Sequence, residues 1–75
     1  MEFSFDKITD VLYIQFSREK IEDSDEIAPG IIGDYSEDRI LVGLELLSFS
    51  GRGLNLNHLR TLPGEELIAA IVQEP

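Results

Sequence analysis

Carboxylates are the side chains in this sequence that are best suited to catalysis or ligand binding. The 75 residues include 15 acidic residues, one histidine and no cysteine. Four oxygen-bearing side chains fall at positions one, three, five and twelve of a calcium-loop pattern: Asp34, Ser36, Asp38 and Glu45. Such a loop needs glycine at its sixth position, where this chain has Arg39, and a strand pattern follows. One hypothesis is therefore a divalent-cation or small-molecule site in turn 34–45. The other is an ordinary hairpin turn that carries the same acids.

A second acidic cluster lies between residues 19 and 26 and consists of Glu19, Glu22, Asp23, Asp25 and Glu26. On an extended segment, alternate side chains point to opposite faces, so we do not expect these carboxylates to converge on a metal ion. Charges on an edge strand keep other chains from adding to the sheet. An acidic strip is also a surface that a basic protein recognises.

Glu45 interrupts an apolar strand pattern two residues after Gly43. A buried carboxylate must find a partner or shift its pKa. The sequence offers four partners and does not choose among them: Arg39, Arg52, Arg60 and Tyr13. We expect Glu45 to pair with an arginine across a dimer interface rather than to act as a catalytic acid.

Enzymatic chemistry has little support in the sequence. His58 is flanked by Asn57 and Leu59, which are neither metal ligands nor a catalytic partner, so a surface histidine is expected. The serines lack the Gly-x-Ser-x-Gly context of a nucleophile elbow, and residues 51–53 lack the lysine of a phosphate loop. We expect no catalytic residues, no cofactor and no metal centre.

Alternating apolar residues in the first half of the chain predict strands at residues 3–5, 11–17, 31–35 and 40–47, with an edge strand or loop at 21–27. These segments predict an antiparallel β-meander of four to five strands over residues 1–50. One face is expected to carry Leu12, Ile14, Phe16, Val42, Leu44 and Leu46. The other carries Val11, Tyr13, Gln15, Leu41, Gly43, Glu45 and Leu47, and we expect a helix or a second copy of the chain to cover part of it.

The hydrophobic period changes in the last third of the chain. Residues 48–53 resemble a flexible hinge, Asn55 is a candidate N-cap, and residues 61–66 resemble a helix start with Thr61 as the capping residue. An apolar stripe follows, formed by Leu67, Ile68, Ile71 and Val72. The fold class is therefore α+β, with one or two short helices in residues 51–75 packed on the same domain.

Charge and length exclude several classes of function. The formal net charge of −9 repels nucleic acid and anionic lipid, and no apolar run approaches the roughly 20 residues that span a bilayer. The first residues lack the pattern of a signal peptide, so we expect a cytoplasmic protein. A chain of this size buries a marginal core, which favours a homodimer.

Three motifs resemble a known family. They are Phe5-Asp6-Lys7-Ile8-Thr9-Asp10-Val11-Leu12-Tyr13-Ile14-Gln15-Phe16, Ile32-Gly33-Asp34-Tyr35 and Val42-Gly43-Leu44-Glu45-Leu46-Leu47. In this order they resemble the domain of unknown function 2283, a family of small uncharacterised prokaryotic proteins. The chain departs from the family at Arg39, where glycine is frequent, and the residues after Leu54 fall outside the shared pattern.

The resemblance identifies six family-typical residues without assigned roles: Asp6, Asp10, Tyr13, Asp34, Gly43 and Glu45. Asp6 and Asp10 suit a turn whose side chains bond its own backbone, and Gly43 suits the close approach of another group. The family's association with small toxin-like neighbours implies an antitoxin-like role. Our leading hypothesis is thus a non-enzymatic interaction module that binds a basic protein partner, and the alternative is the cation or small-molecule site in turn 34–45.

Overall fold

Five antiparallel strands precede the helices in the computed structural model, which describes residues 1–72. The strands are β1 (Glu2–Asp6), β2 (Val11–Gln15), β3 (Asp23–Ala28), β4 (Ile31–Tyr35) and β5 (Leu41–Leu46). A short 3-10 helix (Phe49–Arg52), α1 (Leu56–Leu59) and α2 (Gly64–Val72) follow. The predicted α+β class is confirmed. Within residues 1–72, every helix is too short or too polar to cross a membrane.

The strand order is β1-β2-β5-β4-β3, which corrects the simple meander. β1 and β2 form one hairpin, and β3, β4 and β5 form a meander, but β2 pairs with β5 rather than with β3. The physical reason is burial. β2 and β5 carry four completely buried side chains, so they take the centre of the sheet, whereas the acidic strand β3 tolerates an edge.

The core lies on one face of the sheet, under the helices. Leu12 pairs with Leu46 and Ile14 with Leu44 across β2 and β5. Three residues of α1 and α2 belong to the same cluster: Leu59, Leu67 and Ile71. Fully burying one such aliphatic side chain contributes roughly 1.5–3 kcal/mol to folding. The predicted core face is confirmed for the centre of the sheet.

An irregularity between Asp34 and Tyr35 changes the alternation at the start of β5. Asp34 pairs with Gly43 but Tyr35 pairs with Leu41, so β5 has one extra residue at this point. Leu41 therefore packs against the core cluster, and its predicted place on the opposite face is wrong. A β-bulge has this effect because two residues of one strand face a single residue of the other.

The segment predicted as a flexible hinge is ordered instead. Residues 49–52 form the 3-10 helix, and the Phe49 side chain is buried in the core cluster. The Phe49 ring packs edge-on against Phe5 with 5.6 Å between ring centroids. Burial of the Phe49 ring helps to hold this glycine- and serine-rich stretch in one conformation.

The helix starts are partly as predicted. The Asn55 side chain caps α1 by accepting a hydrogen bond from the His58 backbone N–H at 3.1 Å. Thr61, however, does not cap α2, because its hydroxyl donates to the His58 carbonyl at 2.7 Å. The Leu67 N–H donates to the Pro63 carbonyl, so α2 begins at Gly64. Residues 73–75 of the predicted helical segment lie outside the described residues.

Candidate functional site

A polar cluster crosses the face of the sheet opposite the core. The Tyr13 hydroxyl on β2 donates to Asp34 Oδ2 on β4 at 3.1 Å, and the Ser24 hydroxyl on β3 donates to Asp34 Oδ1 at 2.5 Å. We call these three residues the Tyr13–Asp34–Ser24 cluster. Asp34 is only 8% exposed, and two hydroxyl donors offset the cost of burying its carboxylate.

Gly43 makes this cluster possible. It lies on β5 between Tyr13 and Asp34, and the Tyr13 ring passes directly over it. A Cβ atom at residue 43 would overlap the Tyr13 hydroxyl, would lie 2.6 Å from Tyr13 Cζ and would lie 3.0 Å from the Ile14 carbonyl oxygen. A side chain at this position is therefore incompatible with the observed Tyr13 rotamer.

The surroundings of the Tyr13 hydroxyl in this cluster disfavour its ionisation. Burial raises the pKa of Tyr13 above its usual value of 10.0, and the hydrogen bond and negative charge of Asp34, with the charge of Glu45, raise it further. An activated phenolate would need a lowered pKa. The hydroxyl groups of Tyr13 and Ser24 both donate hydrogen bonds to the Asp34 carboxylate, which therefore joins β2, β4 and β3 across the sheet.

Glu45 lies beside the cluster, half-buried on the same face. It is opposite Tyr13 on β2 and opposite Ile32 on β4. Within residues 1–72, its carboxylate accepts no hydrogen bond and forms no salt bridge. Two of the arginines proposed as partners are engaged elsewhere: Arg39 with Asp23 and Asp25, and Arg60 over the Phe3 ring.

Asp6 and Asp10 have different roles from each other. The Asp6 carboxylate accepts from the N–H groups of Ile8 at 2.9 Å and Thr9 at 3.3 Å, which confirms that it bonds its own turn. These backbone donors lower the pKa of Asp6. Asp10 does not bond the turn, because its carboxylate accepts from the Ser50 hydroxyl at 2.6 Å and from the Ser50 N–H.

Asp10 thereby fixes the 3-10 helix to the first hairpin. Its carbonyl also accepts from the Phe49 N–H at 2.9 Å, so one residue holds two successive N–H groups at the helix start. Asp10 has a φ of 58°, a left-handed conformation that aspartate adopts more readily than most residues. Sequence spacing cannot reveal this contact, because Asp10 and Ser50 are 40 residues apart.

The turn proposed as a cation site does not assemble one among the described residues. Asp34 is occupied by the cluster, and Ser36 is buried with its hydroxyl accepting from the Ile40 N–H. Within residues 1–72, no three carboxylate, histidine or cysteine side chains come together in a way that could hold a metal ion. His58 is exposed on α1.

The three family-typical residues at the centre of the sheet are thus in one place. Tyr13, Asp34 and Gly43 meet on the face of the sheet opposite the core, which we call the open face. Asp6 and Asp10 organise the first hairpin turn. The match to the family model described as "Protein of unknown function (DUF2283)" covers residues 2–50, which include all five strands. The chain belongs to the DUF2283 family. No match was found among curated proteins or among solved structures.

The DUF2283 match ends within the 3-10 helix, so α1 and α2 lie outside the family region. Sequence reasoning missed Ser24 and Ser50, which supply donors to the family-typical residues Asp34 and Asp10. The only local signal for Ser24 was a small uncharged residue inside the acidic run 22–26.

An acidic groove lies at one end of the sheet. It has a volume of about 250 Å³ and is formed where the connection after β2 meets the β4–β5 turn. The residues that line it are Glu19, Lys20, Glu22, Ser36, Glu37 and Asp38. Lys20 is the only cation among these lining residues of the described chain, and it lies 3.5 Å from Glu22, while both side chains remain well exposed.

Proposed function

We propose that this DUF2283 protein is a non-enzymatic interaction module that binds a basic protein partner through its acidic groove. The observation that supports this proposal is the concentration of acidic side chains around one concave surface with a single lysine. A partner that presents lysine or arginine to this surface would gain charge complementarity at little desolvation cost.

The fold concentrates negative charge on the same side of the molecule. Eight of the 15 acidic residues lie between residues 19 and 38, which form the groove, edge strand β3 and strand β4. Arg39 neutralises part of the β3 edge through contacts of 3.1 Å to Asp23 and 3.5 Å to Asp25. Glu37 and Asp38 form no salt bridge within residues 1–72, so the groove is the less compensated part of this surface.

The specific form that we propose is antitoxin-like, in which the acidic surface occupies the basic surface of a small toxin-like partner. We also propose a cytoplasmic location, because a net charge of −9 opposes association with anionic membrane surfaces. Binding of this kind is steered by charge, so both its rate and its affinity should fall with added salt.

Two matched double variants test the proposal. A partner captured from cell lysate is identified and purified, and its affinity is measured by calorimetry at several salt concentrations. Glu37→Gln with Asp38→Asn removes two negative charges from the groove, and Glu65→Gln with Glu66→Gln removes two from the first turn of α2. We expect the groove variant alone to weaken binding about tenfold and to reduce its salt dependence. Equal affinities for both variants would exclude the groove as the binding surface.

A further inference from the structure

The two edges of the sheet differ in how they are protected. Edge strand β3 carries acids at three of its six positions and has a register irregularity between Glu26 and Ala28. Edge strand β1 pairs with β2 in a regular register over five residues and has no proline. Charges and bulges are the usual means by which proteins prevent strand addition at a sheet edge. The central residues of β1, which are Phe3, Ser4 and Phe5, carry no charge and contain no bulge.

Exposed apolar side chains are concentrated along the same edge. Among residues 1–72, six large hydrophobic side chains are exposed, and three of them belong to β1, its preceding residue or its turn. These are Met1 at 56%, Phe5 at 40% and Ile8 at 96% exposure. The open face of the sheet is better covered, because Val11, Ile32 and Leu47 are half-buried and the Tyr13 ring lies across Gly43.

We propose that β1 is a homodimer interface, in which the β1 strands of two copies pair antiparallel and join the two sheets into one of ten strands. The proposal moves the expected homodimer contact from the open face to this edge. It is independent of the acidic groove, which would remain free in the dimer.

A second copy fits this edge better than it fits any other part of the sheet. β1 and β3 are separated by four strand spacings, about 19 Å in all, which exceeds the screening length of about 8 Å at physiological salt. Pairing through β1 therefore places the two acidic edges at the far ends of the joined sheet. Pairing through β3 would set like charges against each other, and pairing β1 to β3 would leave open edges and build a fibre.

The charges on β1 restrict the register of the pair. A two-fold axis at Ser4 would place Glu2 opposite Asp6 of the second copy, which like-charge repulsion disfavours. An axis at Phe3 places Glu2 opposite Ser4 of the second copy, and Phe3 opposite Phe3 of the second copy. In either register the two Ser4 side chains lie on one face, directly opposite or diagonal, with Cβ atoms no more than about 8 Å apart.

Native mass measured by light scattering over a range of concentrations is the first test. We expect the wild-type chain to form a concentration-dependent dimer. Ser4→Glu places a negative charge at the centre of exposed β1, where it faces Glu2 or residue 4 of the second copy, so like charges oppose each other in both registers. Lys20→Gln makes the same change in net charge in the acidic groove. We expect Ser4→Glu alone to weaken dimerisation about tenfold or more, with circular dichroism showing that both variants are folded. A monomer at all concentrations, or equal dimerisation by both variants, would overturn the proposal.

Cross-linking provides a second measurement that does not depend on destabilising the edge. The chain has no cysteine, so Ser4→Cys and Asp25→Cys each introduce a single thiol. A short bismaleimide should join two copies of the Ser4→Cys protein and leave the Asp25→Cys protein monomeric on a denaturing gel. Preferential cross-linking of Asp25→Cys would show that the copies meet at β3 and would refute the β1 interface.

Discussion

Replacing Gly43 by alanine tests the structural reasoning about the Tyr13–Asp34–Ser24 cluster most directly. The new methyl group would overlap the Tyr13 hydroxyl and would lie 2.6 Å from Tyr13 Cζ, so the ring must leave its position. The rotation breaks the 3.1 Å hydrogen bond to Asp34, whose carboxylate is 8% exposed and would keep only the Ser24 donor.

The expected cost follows from these losses. A hydrogen bond to a charged group contributes about 1.5–3 kcal/mol, and displacing a half-buried ring adds about 1 kcal/mol in lost packing. Alanine is otherwise no worse than glycine in a strand, so we expect the free energy of unfolding to fall by about 2–4 kcal/mol. In a domain of this size each kcal/mol lowers Tm by about 4–8 °C. Thermal and urea unfolding followed by circular dichroism would measure both quantities.

A double-mutant cycle separates the clash from a general intolerance of alanine. In a Tyr13→Ala background the ring is absent and only the 3.0 Å contact with the Ile14 carbonyl oxygen remains, so Gly43→Ala should cost at least about 1 kcal/mol less than in the wild-type protein. Gly51→Ala serves as the control, because a Cβ at residue 51 would meet no atom within 4 Å. If Gly43→Ala destabilised the protein equally with and without the Tyr13 ring, the proposed overlap would not be its cause.

Three further predictions concern turns and titration. In urea unfolding, Asp10→Ala should destabilise the protein by about 2–3 kcal/mol and Asp10→Asn by about 1 kcal/mol. Asparagine costs less because it retains an acceptor for Ser50 and tolerates a φ of 58°. Equal losses in the two variants would contradict this reasoning. Arg39→Gly should change the free energy of unfolding by less than about 1 kcal/mol. Glycine removes the backbone strain of a φ of 64°, but the variant also loses the stacking of Arg39 on Tyr35 and its exposed ion pairs. A large loss of stability would show that the stacking dominates. The pKa of Tyr13 is raised in the folded state, so the stabilising effect of the protonated Tyr13 hydroxyl is complete below pH 10.0 and is lost as pH rises through the raised pKa. A Tyr13→Phe variant should therefore lose less stability than wild type at alkaline pH.

Local patterns in the sequence determined the elements of this protein. Alternating Leu12 and Ile14 required a half-buried strand, the acidic run 22–26 was compatible with an edge strand or a loop, and Asn55 was recognisable as an N-cap. These predictions succeeded because each depends on residues that are neighbours in the chain. The same reasoning on Gly43 predicted a close approach without identifying the Tyr13 ring as the group that approaches.

Contacts between distant residues were decided only by the tertiary structure. Pairing β2 with β5 brings Tyr13 over Gly43 to Asp34, 21 residues away, and the order β1-β2-β5-β4-β3 then separates the apolar edge from the acidic one. The bulge that turns Leu41 toward the core has no local signature in the sequence, because it depends on the register with β4. Ser50 fixes the supposed hinge for the same reason, since its partner Asp10 lies in the first hairpin. Sequence period specifies which face of a strand is apolar, but strand order and register decide which side chains meet, because those depend on free energy summed over the whole sheet.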